Sequence, residues 1–283
     1  MPTPTPSPLT LASTLSLNDG RAIPLLGFGV FQLEDPAACE RAVRDALDAG
    51  YRHIDTAKVY GNEASVGKAI AESGVPRESL FVTTKGTFKY SPENVRKACD
   101  ESLRALGTDY IDLYLIHWPM LKLPLLPAWE TYETLRAEGK VRSIGVSNFS
   151  VRRLEQDLLP HTATVPAVNQ IELHVFCQQR ELVPYCQGKG IVLEAYSPLA
   201  RAERMDHPVL KRVAASLGKT PAQVMIRYLL EKGIVTIPKA SSAARIRENA
   251  DVFGFELGPQ ATADLDACNE DFFSLAWRPE GFY

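Results

Sequence analysis

Four residues of this chain have types that together could deliver a proton to a carbonyl group: Asp55, Tyr60, Lys85 and His117. A tyrosine has an ordinary pKa near ~10 and releases its proton sluggishly at neutral pH. A nearby lysine ammonium favours the phenolate, and a carboxylate keeps that lysine charged and aimed. A histidine can then donate a hydrogen bond to the substrate oxygen. Asp55 ends the run YRHID, Lys85 ends LFVTTK and His117 ends YIDLYLIH, while Tyr60 lies in TAKVYGNE just after Asp55. Taken singly they are a cap, a solvated lysine, a packed histidine and a loop tyrosine. Their joint placement at the ends of apolar runs makes them a set.

Such a set needs strands that end side by side. Short apolar runs at 26–29, 53–55, 80–85, 111–117, 141–147, 167–171, 192–197 and 235–238 predict eight strands. Amphipathic stretches at 35–49, 63–73, 91–106, 128–138, 150–159, 180–189, 220–231 and 242–253 predict the helices between and after them. Asp35-Pro36, Ser91-Pro92 and Thr220-Pro221-Ala222-Gln223 supply helix-start chemistry. Before the first unit, TLSLNDGRAIPLLGFG predicts a hairpin turning at Asn18-Asp19-Gly20. The chain has 283 residues, 45% of them hydrophobic, and an eight-fold barrel needs ~250. The expected fold is therefore α/β: a (β/α)8 TIM barrel over 15–283, its bottom capped by the hairpin, after a disordered tail at 1–14. LGFGVFQ lacks the third glycine of a dinucleotide-binding turn and leads into no helix, which argues against an open doubly wound sheet. In a barrel, groups at the C-terminal ends of the strands converge. Ser147, Asn148, Gln170, Tyr196 and Lys239 hold such ends alongside the four residues above.

The formal net charge of −3 offers no general surface for nucleic acid. Five scattered cysteines, with no CxxC pair, fit a reduced, cytoplasmic setting better than a disulfide framework. No HxH or HExxH spacing supports a metal site. The N-terminus lacks a secretory pattern, and no apolar run is long enough to span a membrane.

The motifs GYRHIDTAKVYGNE, LFVTTK, YIDLYLIHWP, GKVRSIGVSNF, VNQIELH, YSPL and IPKASSAARIRENADVFGFEL follow one another over roughly 15–278. In these the chain resembles the aldo-keto reductases, most closely short-tailed microbial members of the aldose and diketogluconate reductase type. The resemblance implies hydride transfer from NADPH to a small-molecule carbonyl substrate, and a monomer. It places the catalytic tetrad on Asp55, Tyr60, Lys85 and His117. Ser147, Asn148 and Gln170 would hold the nicotinamide carboxamide, Tyr196 would stack on its ring, and Ser197 and Leu199 would follow the pyrophosphate. Lys239 and Arg245 would grip the 2′-phosphate, with Glu248 and Asn249 at the adenine. Ala240 stands where many relatives have a serine that also touches the phosphate, and Ser241 or its backbone would substitute. A phosphate monoester prefers Arg and Lys at a helix start, which favours NADPH over NADH. Val30, Phe31, Val59, Trp118 and Trp277 are expected to line an apolar entrance.

Two other functions use the same residues. A lysine ending a barrel strand can form a Schiff base in a lyase, which requires Lys85 to be a neutral amine. An NADPH-binding regulatory protein on this fold would need no working tetrad.

Overall fold

The computed structural model describes residues 8–120 and 124–275. The chain opens with β1 (Thr14–Ser16) and β2 (Ala22–Pro24), an antiparallel pair with Leu15 opposite Ile23. Gly20 turns between them in the left-handed region. Leu9 and Leu11 pack against the core.

Strands and helices then alternate. β3 (Phe28–Gly29), α1 (Pro36–Asp48), β4 (His53–Asp55), α2 (Glu63–Glu72), β5 (Phe81–Lys85) and α3 (Pro92–Leu106) form the first half. β6 (Ile111–Ile116), α4 (Leu125–Ala137), β7 (Val141–Ser147), β8 (Val168–Glu172), α5 (Leu182–Gly188) and β9 (Val192–Tyr196) continue it. α6 (Pro208–Leu217), α7 (Pro221–Glu231), β10 (Val235–Thr236), α8 (Ala243–Ala250) and α9 (Gly258–Asp266) complete the described chain.

Strands β3 to β10 lie parallel in chain order. A parallel bridge between Leu26 and Thr236 joins the first to the last. Thr236 N donates to Leu25 O and Gly27 N to Thr236 O, both at 2.9 Å. These bonds close the sheet into a (β/α)8 barrel, as the eight alternating runs predict. Gly27 is needed at this seam, because a Cβ there would meet His53 Nδ1 at 2.6 Å.

The hairpin seals one end. Leu17 and Ile23 pack with Phe81, Leu113, Leu115, Ala167, Val168 and Val235 into a small apolar cluster. Asn18 Nδ2 donates to Pro166 O at 3.0 Å and Arg21 Nε to Arg142 O at 3.1 Å, pinning the turn to the barrel. The larger core lies between the strands and the surrounding helices.

Helix starts follow their caps. Asp35 Oδ1 accepts from Ala38 N at the start of α1, and Thr220 with Gln223 closes a capping box on α7. Three segments depart from expectation. The stretch expected as a helix at 150–159 contains a π-helical turn over Arg153–Leu158. α4 starts at Leu125 rather than 128, because Pro127 falls in its first turn, where a missing N–H is harmless. α6 follows the expected loop at 199–208 and has both boundary signals, Pro208 in its first turn and left-handed Gly218 after its end. The five cysteines are free and buried. No helix among the described residues is long and apolar enough to cross a membrane.

Candidate active site

Parallel pairing sets Asp55 beside Thr83 and Lys85 beside Leu115, so the ends of β4, β5 and β6 open on one face of the barrel. Lys85, 1% exposed, points its Nζ at Asp55 Oδ1 (2.7 Å) and Oδ2 (2.8 Å) and donates to Thr56 O at 2.9 Å. The ammonium sits 5.2 Å from the centroid of the Tyr60 ring. His117 follows β6 and meets Tyr60 edge to face, with ring centroids 5.8 Å apart. Phe88 stacks on the imidazole at 5.3 Å. The four residues predicted as a set are therefore brought together.

The loop bearing Tyr60 is held from below. Lys58–Tyr60 forms a single 3-10 turn, ended by Gly61 in the left-handed region at φ 71°. Asn62 then accepts from Thr56 Oγ1 at 2.8 Å and donates to Val30 O at 2.9 Å and Leu33 O at 3.2 Å. The buried Glu63 accepts from Thr84 Oγ1 at 2.7 Å. The run YGNE thus ties the loop after β4 to the loop after β3 and to β5.

Burial pushes the Tyr60 phenol up and Lys85 pulls it back, while Asp55 and Glu194 push further; the balance lies above the ordinary tyrosine value. The expected lowering by Lys85 is thus outweighed by desolvation, and Tyr60 keeps its proton at neutral pH. Burial opposes the Lys85 charge, but Asp55, Tyr60 and Glu194 outweigh it, and lysine remains an ammonium. Burial and Lys85 hold His117 well below its usual range, so its imidazole is neutral. Its Nδ1 is buried without a hydrogen-bond partner among the described residues.

The neighbouring strand ends form a continuous polar wall. Ser147 Oγ donates to Gln170 O at 2.9 Å. Asn148, left-handed at φ 65°, donates from Nδ2 to His117 O at 3.1 Å and to Ser147 Oγ at 3.0 Å. Tyr196 donates its hydroxyl to Asn148 Oδ1 at 2.8 Å. Ser197 and Leu199 are half-buried in the loop after β9, next to Ala200, Arg201 and Ala202, three successive left-handed residues. Lys239 leaves the barrel just after β10, followed by exposed Ser241 and buried Ala240. Arg245 lies in the first turn of α8, where Ser242 Oγ caps its backbone N–H and no acidic side chain intervenes. Neither Lys239 nor Arg245 is exposed to an ion-pair partner among the described residues, and both side chains face solvent. Glu248 is half-buried and Asn249 buried on the same helix. Two free cations at a capped helix start suit a phosphate monoester.

Of the expected entrance residues, Phe31 and Val59 are 41% and 46% exposed, and the Phe31 ring lies 5.0 Å from that of Tyr60. They make an apolar rim beside the phenol. Trp118 is buried at 6%, and Val30 has no exposure and packs in the main core. Trp277 lies outside the described residues.

Two buried carboxyls escaped the sequence reading. Glu194, inside β9, receives a hydrogen bond from Gln170 at 2.8 Å, and the same Gln170 amide donates to Asp55 at 2.7 Å. Glu172, ending β8, accepts from Ser274 N and Oγ at 2.6 Å and from Leu275 N at 3.3 Å, fastening the last described residues over this face. Each interrupts an apolar strand run, VLEAY and VNQIEL, and that was the available signal.

The chain matches the aldo/keto reductase family model over residues 25–270. A glyoxal reductase of Bacillus subtilis is 45% identical over 265 residues, covering 93% of this chain and 95% of that protein. The crystal structure of an aldo/keto reductase from Brucella melitensis superposes with a TM-score of 0.87 at 44% identity, covering 91% of this chain and all of that one. A Bombyx mori aldo-keto reductase in complex with NADP gives 0.88 at 37% identity, covering 94% and 96%. With a closed barrel, an ion pair under a tyrosine at its mouth and a family match across most of its length, the chain belongs to the aldo/keto reductase family.

Proposed function

We propose that the protein reduces aldehydes or ketones to alcohols, with Tyr60 as the general acid. The observation that carries this reading is the Lys85 ammonium, fixed by Asp55 and Thr56 O and lying 5.2 Å from the Tyr60 ring. NADPH, when bound, supplies the hydride. Tyr60 is a neutral phenol at neutral pH and therefore holds a proton to give. As negative charge grows on the carbonyl oxygen, the phenol proton moves to it, and Lys85 stabilises the phenolate left behind. His117, held neutral, offers an N–H to the same oxygen. Phe31 and Val59 present apolar surface to the rest of the substrate and exclude water near the phenol.

The cofactor would be held along the polar wall. Ser147, Asn148 and Gln170 suit the carboxamide, Tyr196 the nicotinamide ring, and Ser197 and Leu199 the pyrophosphate. Lys239, Ser241 and Arg245 suit the 2′-phosphate, with Glu248 and Asn249 at the adenine.

A Schiff-base lyase needs a neutral Lys85, whereas three hydrogen bonds and a raised pKa keep it an ammonium. The test is a panel of aliphatic and aromatic aldehydes and ketones followed by loss of NADPH absorbance. The expected outcome is turnover of several members with one alcohol formed per NADPH consumed. Absence of turnover, or a borohydride-trapped adduct on Lys85, contradicts the reading.

A further inference from the structure

Glu194 is wholly buried in the barrel interior, in register with Gln170 of β8 on one side and Val235 of β10 on the other. No lysine or arginine among the described residues pairs with it. Its Oε1 lies 3.3 Å from His53 Nε2 and makes no hydrogen bond, while Oε2 accepts from Gln170 Nε2 at 2.8 Å. That same nitrogen donates to Asp55 Oδ2 at 2.7 Å.

A glutamine side chain ends in two N–H donors on one side and an acceptor oxygen on the other. Here both N–H groups are taken, one by Asp55 and one by Glu194. Turning the amide over would lose both bonds and set Gln170 Oε1 against two carboxyl oxygens in a dry interior. Asp55 satisfies one N–H and also receives Lys85, so it resists a turned amide with one bond only. Glu194 satisfies the second. Gln170 is 1% exposed, and no described residue donates to its Oε1.

We propose that Glu194 is a positioning residue: with Asp55 it locks the Gln170 amide so that Gln170 offers only its acceptor Oε1 to the nicotinamide carboxamide and reads the NH2 of that group. The proposal rests on the reading of Gln170 as a nicotinamide contact. A charged or protonated Glu194 serves equally, because Oε2 accepts in either state.

The test compares NADP+ with its 3-acetylpyridine analogue, in which a methyl replaces the carboxamide NH2. Binding is read by quenching of tryptophan fluorescence, so no turnover is needed. The unmodified protein should prefer NADP+ by about tenfold, the worth of one hydrogen bond. E194Q keeps an acceptor for Gln170 and should keep that preference. E194L leaves one N–H without its partner and frees the amide to turn, and its preference should fall to within about twofold. The longer E194M replaces it if E194L yields no folded protein. Equal preference in the unmodified protein and the apolar variant, or its loss in E194Q, would overturn the role of Glu194. No preference in the unmodified protein would overturn the Gln170 contact itself, and the proposal with it.

Discussion

Asp55 and Glu194 share one amide, and their unequal surroundings decide which of them holds a proton. Burial pushes Asp55 up, and the doubly bonded Lys85 ammonium and Gln170 pull it only part of the way back, so it too stays above the ordinary carboxylate value. Glu194 faces Asp55 across Gln170 and has His53, Lys85 and Tyr60 around it. Burial and the Asp55 charge push it up to about 8, from 4.5. The folded protein therefore binds a proton on Glu194 that the unfolded chain has already lost, and stability falls as pH rises towards 8. His53, pushed down to about 3 by burial and Lys85, and His117, also held down, act in the opposite direction, but only below the ordinary histidine value of 6.5. Between pH 6.5 and 8 the Glu194 contribution stands uncovered, with a slope of up to about 1.4 kcal/mol per pH unit. Thermal unfolding of the cofactor-free protein should show the melting temperature falling over that window, and E194Q should flatten it. An unchanged slope in E194Q would mean that Glu194 is ionised throughout. The tetrad was legible because each strand-end member closes an apolar run. Glu194 and Glu172 were not, because a buried carboxyl shows its worth only when its partners, on another strand for Glu194 and in the C-terminal segment for Glu172, are known. Gln170 is 24 residues from Glu194 and 115 from Asp55.

Among the elements, the strands were the most legible, since runs such as β5 and β6 are buried on both faces, as barrel strands are. The hairpin turn was also plain, and its role as a seal follows from Leu17 and Ile23. The loop after β9 was harder to read. Ala200, Arg201 and Ala202 all adopt positive φ without a glycine among them, a conformation that costs of order 1–2 kcal/mol per residue and has no local signature. α6 did carry its signal, with apolar residues at 209, 210, 213, 214 and 217, but the charged segment before it obscured the start. The start of α8 carries a prediction of its own. Lys239 and Arg245 are exposed, and Ser242 caps the helix beside them. K239A and R245A should each weaken NADPH binding about tenfold or more while changing NADH binding by less than about twofold. Equal weakening of both cofactors, measured by fluorescence titration, would remove the 2′-phosphate from this helix start.

For the whole molecule, closure is what turns a list of strand ends into a site. The Leu26–Thr236 bridge brings the last strand against the first, so that Lys239 and the loop carrying Phe31 rim the same mouth as Tyr60. Alternation of strands and helices implied eight units, and the motifs implied their order. What the chain alone could not supply was the balance of charge in the closed interior, where desolvation outweighs the pull of Lys85 on Tyr60. That balance leaves a protonated phenol above a fixed ammonium, and Y60F removes the proton while keeping the ring. Single-turnover oxidation of bound NADPH by an aldehyde, measured beside the NADPH dissociation constant, tests this most directly. Y60F should slow the reaction about 100- to 10,000-fold and leave NADPH affinity within about twofold. Turnover near that of the unmodified protein, or an equal loss of cofactor affinity, would contradict Tyr60 as the proton donor.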